Sequence, residues 1–106
     1  MPPIPKPPSP AKLRAAKKAA KATAWRKVCR AVDRRDGAFC RACKRQFGVW
    51  GLEMREHHHI VPRSLGGKDT TANVLSVCSL CHQDRHAGRL AITGDADGAI
   101  LFGEMR

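Results

Sequence analysis

A chain of 106 residues has room for one ordinary domain and too little for two. With 42 % hydrophobic and only 5 % aromatic residues the core must be small, so a metal or disulfides are expected to help hold it. The net charge of +11 is uneven: Met1–Arg35 carries eleven Lys/Arg and one Asp, and Asp36–Arg106 carries nine Lys/Arg against eight Asp/Glu. A basic arm on a near-neutral domain points to an anionic polymer, nucleic acid ahead of a membrane surface. No apolar run is long enough to span a bilayer, and "MPPIPKPPSP" has no apolar signal core, so a cytoplasmic protein is expected.

Met1–Pro10 holds six of the seven prolines and reads as an extended tail. Ala11–Ala24 is rich in Ala and Lys, with Leu13 its one large apolar anchor, and reads as a solvated arm that is helical when conditions allow. Residues 1–23 are therefore expected as a flexible basic tail, with Lys17, Lys18 and Lys21 available to phosphates, and 24–106 as the domain proper. In the stretch Trp25–Arg35, Trp25, Val28, Cys29 and Val32 recur at helical spacing, with Gly37 as the stop and Cys29 as a small buried hydrophobe. "FCRACKRQFG" reads as a knuckle, Val49–Met54 as a short strand and "HHHIV" as a second strand stopped by Pro62. "RSLGGKDTTAN" is a polar loop, Val74–Val77 a strand, and "CSLCHQDRHAG" a knuckle leading into a helix that stops near Gly88. "LAITGDADGAILFG" reads as a hairpin around a Gly/Asp turn; "DADG" lacks the later acidic ligand of a calcium loop.

Four of the five cysteines form two C-x2-C pairs, Cys40/Cys43 and Cys78/Cys81, with 34 residues between them. An odd count and this pairing favour thiolates on a metal over disulfides. Four thiolates suit a tetrahedral structural zinc, which pins two distant parts of the chain together.

That leaves the histidines free for other work. His82 and His86 stand four residues apart, hence on one face of a helix, where two imidazoles can chelate one ion. His58 or His59 can add a third ligand, giving a second, open metal site able to grip a phosphate oxygen and a leaving group. A neutral histidine nearby can take a proton from water. Strict strand alternation puts His58 and His59 on opposite faces, so a bend or bulge is expected there. His57 reads as a surface residue.

The run "HHIVPRSLGGKDTTANVLSVCSLCHQDRH" resembles the HNH nuclease motif of the ββα-metal (His-Me finger) fold. With "WRKVCRAVDRRDGAFCRACKR" upstream, the stretch Trp25–Gly88 is similar to small HNH endonucleases of bacteriophages and prophages. The resemblance implies an α+β fold: a small ββα-metal domain stapled by a four-cysteine zinc, preceded by the basic helical arm and followed by the hairpin. It implies His59 as general base, Asn73 as brace of the loop between the strands, and His82 as metal ligand. His58 occupies a ligand position that is often aspartate. The adjacent histidines and the H-x3-H helix are similar to the colicin nuclease domains, by which His86 is a further ligand. Three imidazoles favour zinc, nickel, cobalt or manganese more than magnesium does, and the catalytic ion stays open among these five.

The implied activity is metal-dependent hydrolysis of phosphodiester bonds in double-stranded DNA, nicking with low sequence preference and leaving 5′-phosphate and 3′-hydroxyl ends. Arg63 and Arg85 are expected at phosphates. The setting implied is phage DNA processing or packaging in the bacterial cytoplasm, beside terminase and portal proteins, as a monomer or homodimer. One competing class is a non-catalytic zinc-knuckle DNA-binding module, which leaves the register of the histidines and Asn73 unexplained. Another is a modification-dependent restriction enzyme of the same fold, which usually needs a separate recognition domain.

Overall fold

The computed structural model describes residues 2–48 and 54–104. The strand expected at Val49–Met54 lies, but for Met54, outside the described residues. The elements are α1 (Pro10–Asp36), β1 (Arg55–His59), two short 3-10 turns at Arg63–Leu65 and Thr71–Asn73, β2 (Val74–Cys78), α2 (Ser79–His86), β3 (Leu90–Gly94) and β4 (Ile100–Glu104). The fold is mixed helix and small sheets, as expected from the sequence.

The arm and the packed helix are one element. Ser9 caps α1, its hydroxyl accepting from the Lys12 N–H at 3.2 Å, and Pro10 supplies the fixed φ of a first helical residue. Alanine and lysine carry the helix on, and it crosses position 23/24 without a break. Gly37 ends it at φ 66°, its N–H donating to the Asp33 carbonyl. The first half of the helix is exposed; Val32 in the second half is fully buried.

β1 and β2 pair antiparallel, Arg55 opposite Cys78 through His59 opposite Val74, one residue to one with no bulge. The bend expected at the histidines is absent, and alternation holds: His58 is buried on one face while His57 and His59 reach Trp25 on the other. The loop from β1 to β2 turns at Gly66, φ 85°. Its neighbour Gly67 passes so close to the Val61 carbonyl that a Cβ would lie 1.7 Å from it, so a side chain there would displace the loop. α2 follows β2 directly, and β3 and β4 form the expected hairpin as a separate two-stranded sheet.

The core is as small as the composition suggests. Ile60, Leu75, Val77, Ile92 and Ala96 cluster with Cys40, Cys78 and Cys81, so the cysteine knuckles form part of the core.

A polar tie joins α1 to the rest. The Asp36 side chain is wholly buried and accepts from Arg35 at 2.7 and 3.0 Å, from Arg41, and from the Ser76 N–H at 2.8 Å. Arg35 also donates to the Thr71 and Val74 carbonyls, both at 2.6 Å, and to Asp97 in the hairpin turn at 2.8 Å. Burial alone would raise the Asp36 pKa, but the donors from Arg35, Ser76 and Arg41 outweigh it and hold the carboxyl below its ordinary value. A depressed folded pKa means that the unfolded chain binds the proton more readily. The stabilisation is therefore complete above the ordinary aspartate pKa of about 3.9 and is lost as pH falls through the lower folded value. Asp36→Ala removes the buried carboxylate shared by two guanidinium groups and the acceptor of the Ser76 N–H, and its urea midpoint should correspond to a loss of about 3 kcal/mol at neutral pH. The gap to wild type should narrow as the medium is acidified below about pH 4.

Candidate functional site

The four cysteines converge from two knuckles. Cys40 and Cys43 follow α1; Cys78 ends β2 and Cys81 lies in the first turn of α2. Their sulfurs all lie within 4.8 Å of one another, and Cys43 Sγ is 3.7 Å from Cys78 Sγ. Sulfurs at about 2.3 Å from one tetrahedral zinc stand about 3.8 Å apart, so the donor set and spacing fit that ion. No cysteine is in a disulfide. Each knuckle closes on an N–H to sulfur contact, Cys43 to Cys40 at 3.4 Å and Cys81 to Cys78 at 3.5 Å. Burial pushes the Cys43 and Cys81 thiols up. Burial also acts on Cys40, but backbone N–H donors from Cys43, Cys78 and Ala42 hold it below its ordinary value. Cys29 stays apart, half-buried on α1, as the helical spacing suggests.

The histidines meet at an open cleft of about 340 Å³, lined by His57, His58, His59, Pro62, Arg63, Ser64, His82 and His86. The i, i+4 spacing on α2 brings His82 Nε2 and His86 Nε2 to 3.0 Å. Two nitrogens take that separation when each lies about 2.1 Å from one ion at close to a right angle. His58 faces the pair from β1, its ring 5.6 Å from that of His82, and its Nε2 is buried without a hydrogen-bond partner. Burial first, then the positive neighbours His82, Arg85 and His86, bring the His58 pKa down to about 4, so its ring offers a lone pair at neutral pH. Glu56 Oε2 stands 3.4 Å from His82 Nδ1, where a carboxylate can orient a ligating imidazole. Three imidazoles with an orphaned buried nitrogen suit a borderline divalent ion. They stand wider apart than the cysteines, which among the described residues are the one group of three or more potential ligands with all donor atoms within 4.8 Å.

On the opposite face of β1, His59 stacks on Trp25 at 5.1 Å and 14° between planes, and its Nε2 lies 2.7 Å from Asp69 Oδ1. Arg63 grips the same carboxylate at 2.8 and 3.2 Å and also lies over the Trp25 ring, 4.7 Å from its centroid. The Arg63 hydrogen bond, opposed by burial and aided by His59, lowers the Asp69 pKa. His57 is half-buried rather than a free surface residue. Its Nε2 lies 2.7 Å from Asp33 Oδ1, and its ring meets Trp25 edge-on. Although burial acts to raise the Asp33 pKa, hydrogen bonds from His57 and Arg55 bring it below its ordinary value.

The Asn73 side chain ties the loop between the strands. Its Oδ1 accepts from the Val61 N–H at 2.9 Å, and its Nδ2 donates to the Val61 and Lys68 carbonyls, each at 3.0 Å. Of the basic residues expected at phosphates, Lys17 and Lys18 are exposed on α1, and Lys21 borders a groove with Trp25, Arg63, Gly67 and Asp69. Arg85 is half-buried near the histidines, and its Nε has no hydrogen-bond partner.

Sequence spacing brought out the cysteines and the two α2 histidines. It missed Trp25, Asp33, Glu56 and Asp69 as members of the site. Trp25 showed only as one point of an apolar stripe, and the three carboxylates belong to no local pattern.

A strand pair and helix bearing His58, His59, His82 and His86, with Asn73 on the turn before β2 and a four-cysteine cluster beside them, form the ββα arrangement of an HNH domain. Residues 40–88 match the family model for HNH endonuclease, and the chain carries an HNH domain there. A segment of 36 residues is 44 % identical to the Type IV methyl-directed restriction enzyme EcoKMcrA of Escherichia coli K12, covering 34 % of this chain and 13 % of that enzyme. A longer segment of 68 residues is 29 % identical to anaredoxin of Nostoc sp. PCC 7120, covering 63 % of this chain and 82 % of that protein. No solved structure matches. The chain thus spans a small part of the restriction enzyme and most of anaredoxin.

Proposed function

We propose that the protein is a metal-dependent endonuclease that nicks double-stranded DNA with low sequence preference. The observation that carries this reading is the cleft itself. Two imidazole nitrogens 3.0 Å apart face a buried, unpartnered third, and the ring of His59 borders the same space. A divalent ion held by His58, His82 and His86 would supply Lewis-acid stabilisation of the charge on phosphorus oxygens and on the departing 3′ oxygen.

The protein's own groups account for the rest. His59 takes the proton from the attacking water. Asn73 keeps the loop that carries Arg63 in register with β1. Arg85 and the Lys17, Lys18 and Lys21 side of α1 neutralise backbone phosphates, which positions DNA without reading its bases. The cysteine cluster holds the scaffold and takes no part in the reaction. One such centre stands among the described residues, and one centre cuts one strand per event. The resemblance to small phage enzymes supports a place in phage DNA processing or packaging, beside terminase and portal proteins.

The test is titration of magnesium, manganese, cobalt, nickel or zinc into chelated protein whose cysteine zinc has been retained, with nicking of supercoiled plasmid as readout. His82→Ala and His86→Ala should each raise the metal concentration giving half-maximal nicking by about 10- to 100-fold. Unchanged metal dependence in both variants contradicts this ligand set. DNA retardation without nicking in any metal favours a binding module.

A further inference from the structure

We propose that Asp69 is a positioning residue for His59, fixing which ring nitrogen is free to accept a proton. This rests on the reading of His59 as the general base. Asp69 lies on the loop ten residues beyond His59, and its Oδ1 is 2.7 Å from His59 Nε2. Arg63 binds both oxygens of the same carboxylate, which holds it ionised and in place.

An ionised carboxylate can only accept a hydrogen bond, so the hydrogen at this contact belongs to Nε2. In the neutral ring the lone pair is then on Nδ1, the nitrogen left to accept the proton of an attacking water. The indole of Trp25, stacked 5.1 Å away and 14° from parallel, fixes the plane of the ring. Three contacts thus set tautomer, rotation and tilt: the carboxylate, the guanidinium that anchors it, and the indole. A base whose tautomer is chosen by a carboxylate loses rate rather than substrate binding when the carboxylate becomes an amide, because the amide can offer an N–H and favour the opposite tautomer. Asp69 is partly exposed and is no member of the core cluster, so its replacement should leave the fold intact.

The experiment uses the full-length, zinc-loaded chain in two arms. Ring-nitrogen NMR of His59, assigned with His59→Gln, reads the tautomer without any need for activity. Wild type should show the hydrogen on Nε2, and Asp69→Asn should move a large share of it to Nδ1. In the nicking assay Asp69→Asn should lose about 100-fold in kcat with KM within about twofold, and Asp69→Glu should recover part of it. A wild-type ring carrying its hydrogen on Nδ1 overturns the proposal, as does an Asp69→Asn protein with wild-type kcat. A wild type that nicks nothing yet keeps hydrogen on Nε2 overturns the nuclease reading while supporting the tautomer lock.

Discussion

Cys78→Ser is expected to unfold the domain. Cys78 is fully buried, ends β2, caps α2 and belongs to the core cluster, so its sulfur stands where three elements meet. In small zinc modules the metal contributes an apparent free energy of about 10–16 kcal/mol. A whole domain is stable by only about 5–15 kcal/mol, so a core this small cannot absorb the loss of the ion. Circular dichroism should show loss of the cooperative thermal transition, and metal analysis should show loss of the tightly held zinc while wild type retains about one per chain. Cys29→Ser is the contrast: half-buried on α1 and away from the cluster, it should cost no more than about 1 kcal/mol. If Cys78→Ser melts like wild type, the cluster does not hold the fold.

The second large effect is on rate. His59→Ala removes the proposed base and should lower nicking by about 10³-fold, about 4 kcal/mol of barrier, in the middle of the range for general-base removal. The same change also removes the stacking partner of Trp25 and a donor to Asp69. DNA affinity and zinc content should nevertheless stay near wild type, because the basic side of α1 and the cysteines are untouched. His59→Gln keeps more of the packing and should be as slow; a Gln protein far faster than Ala would point to a packing role for the ring.

What was legible in the sequence has a common physical basis: short-range periodicity. C-x2-C fixes two sulfurs on one knuckle, and H-x3-H fixes two imidazoles on one helical face, so both survive translation into structure. The helix ending at Gly37, the strand at Val74, the α2 helix and the terminal hairpin were readable for the same reason. What escaped depends on contacts between distant residues. Asp33 meets His57 across 24 positions, Asp69 meets His59 across 10, and Arg35 reaches Thr71 and Val74 across 36 and 39. The missing bend is the instructive case. Alternation predicts opposite faces for His58 and His59, and the structure keeps them there. Both residues nevertheless line one cleft, with Pro62, Arg63 and Ser64 from the segment that follows β1. The apolar stripe begins only at Trp25, so the pattern separates the arm from the packed helix; the backbone needs no stripe to continue, since alanine and lysine sustain the helix alone.

The most direct measurement is nicking of supercoiled plasmid by wild type and His59→Ala, side by side, at low salt and neutral pH across the five divalent ions. The account predicts metal-dependent conversion to open circles by wild type, abolished by chelation of the exchangeable ion and slowed about 10³-fold in the variant. Equal nicking by both proteins, or none by either while both still retard DNA, would contradict it.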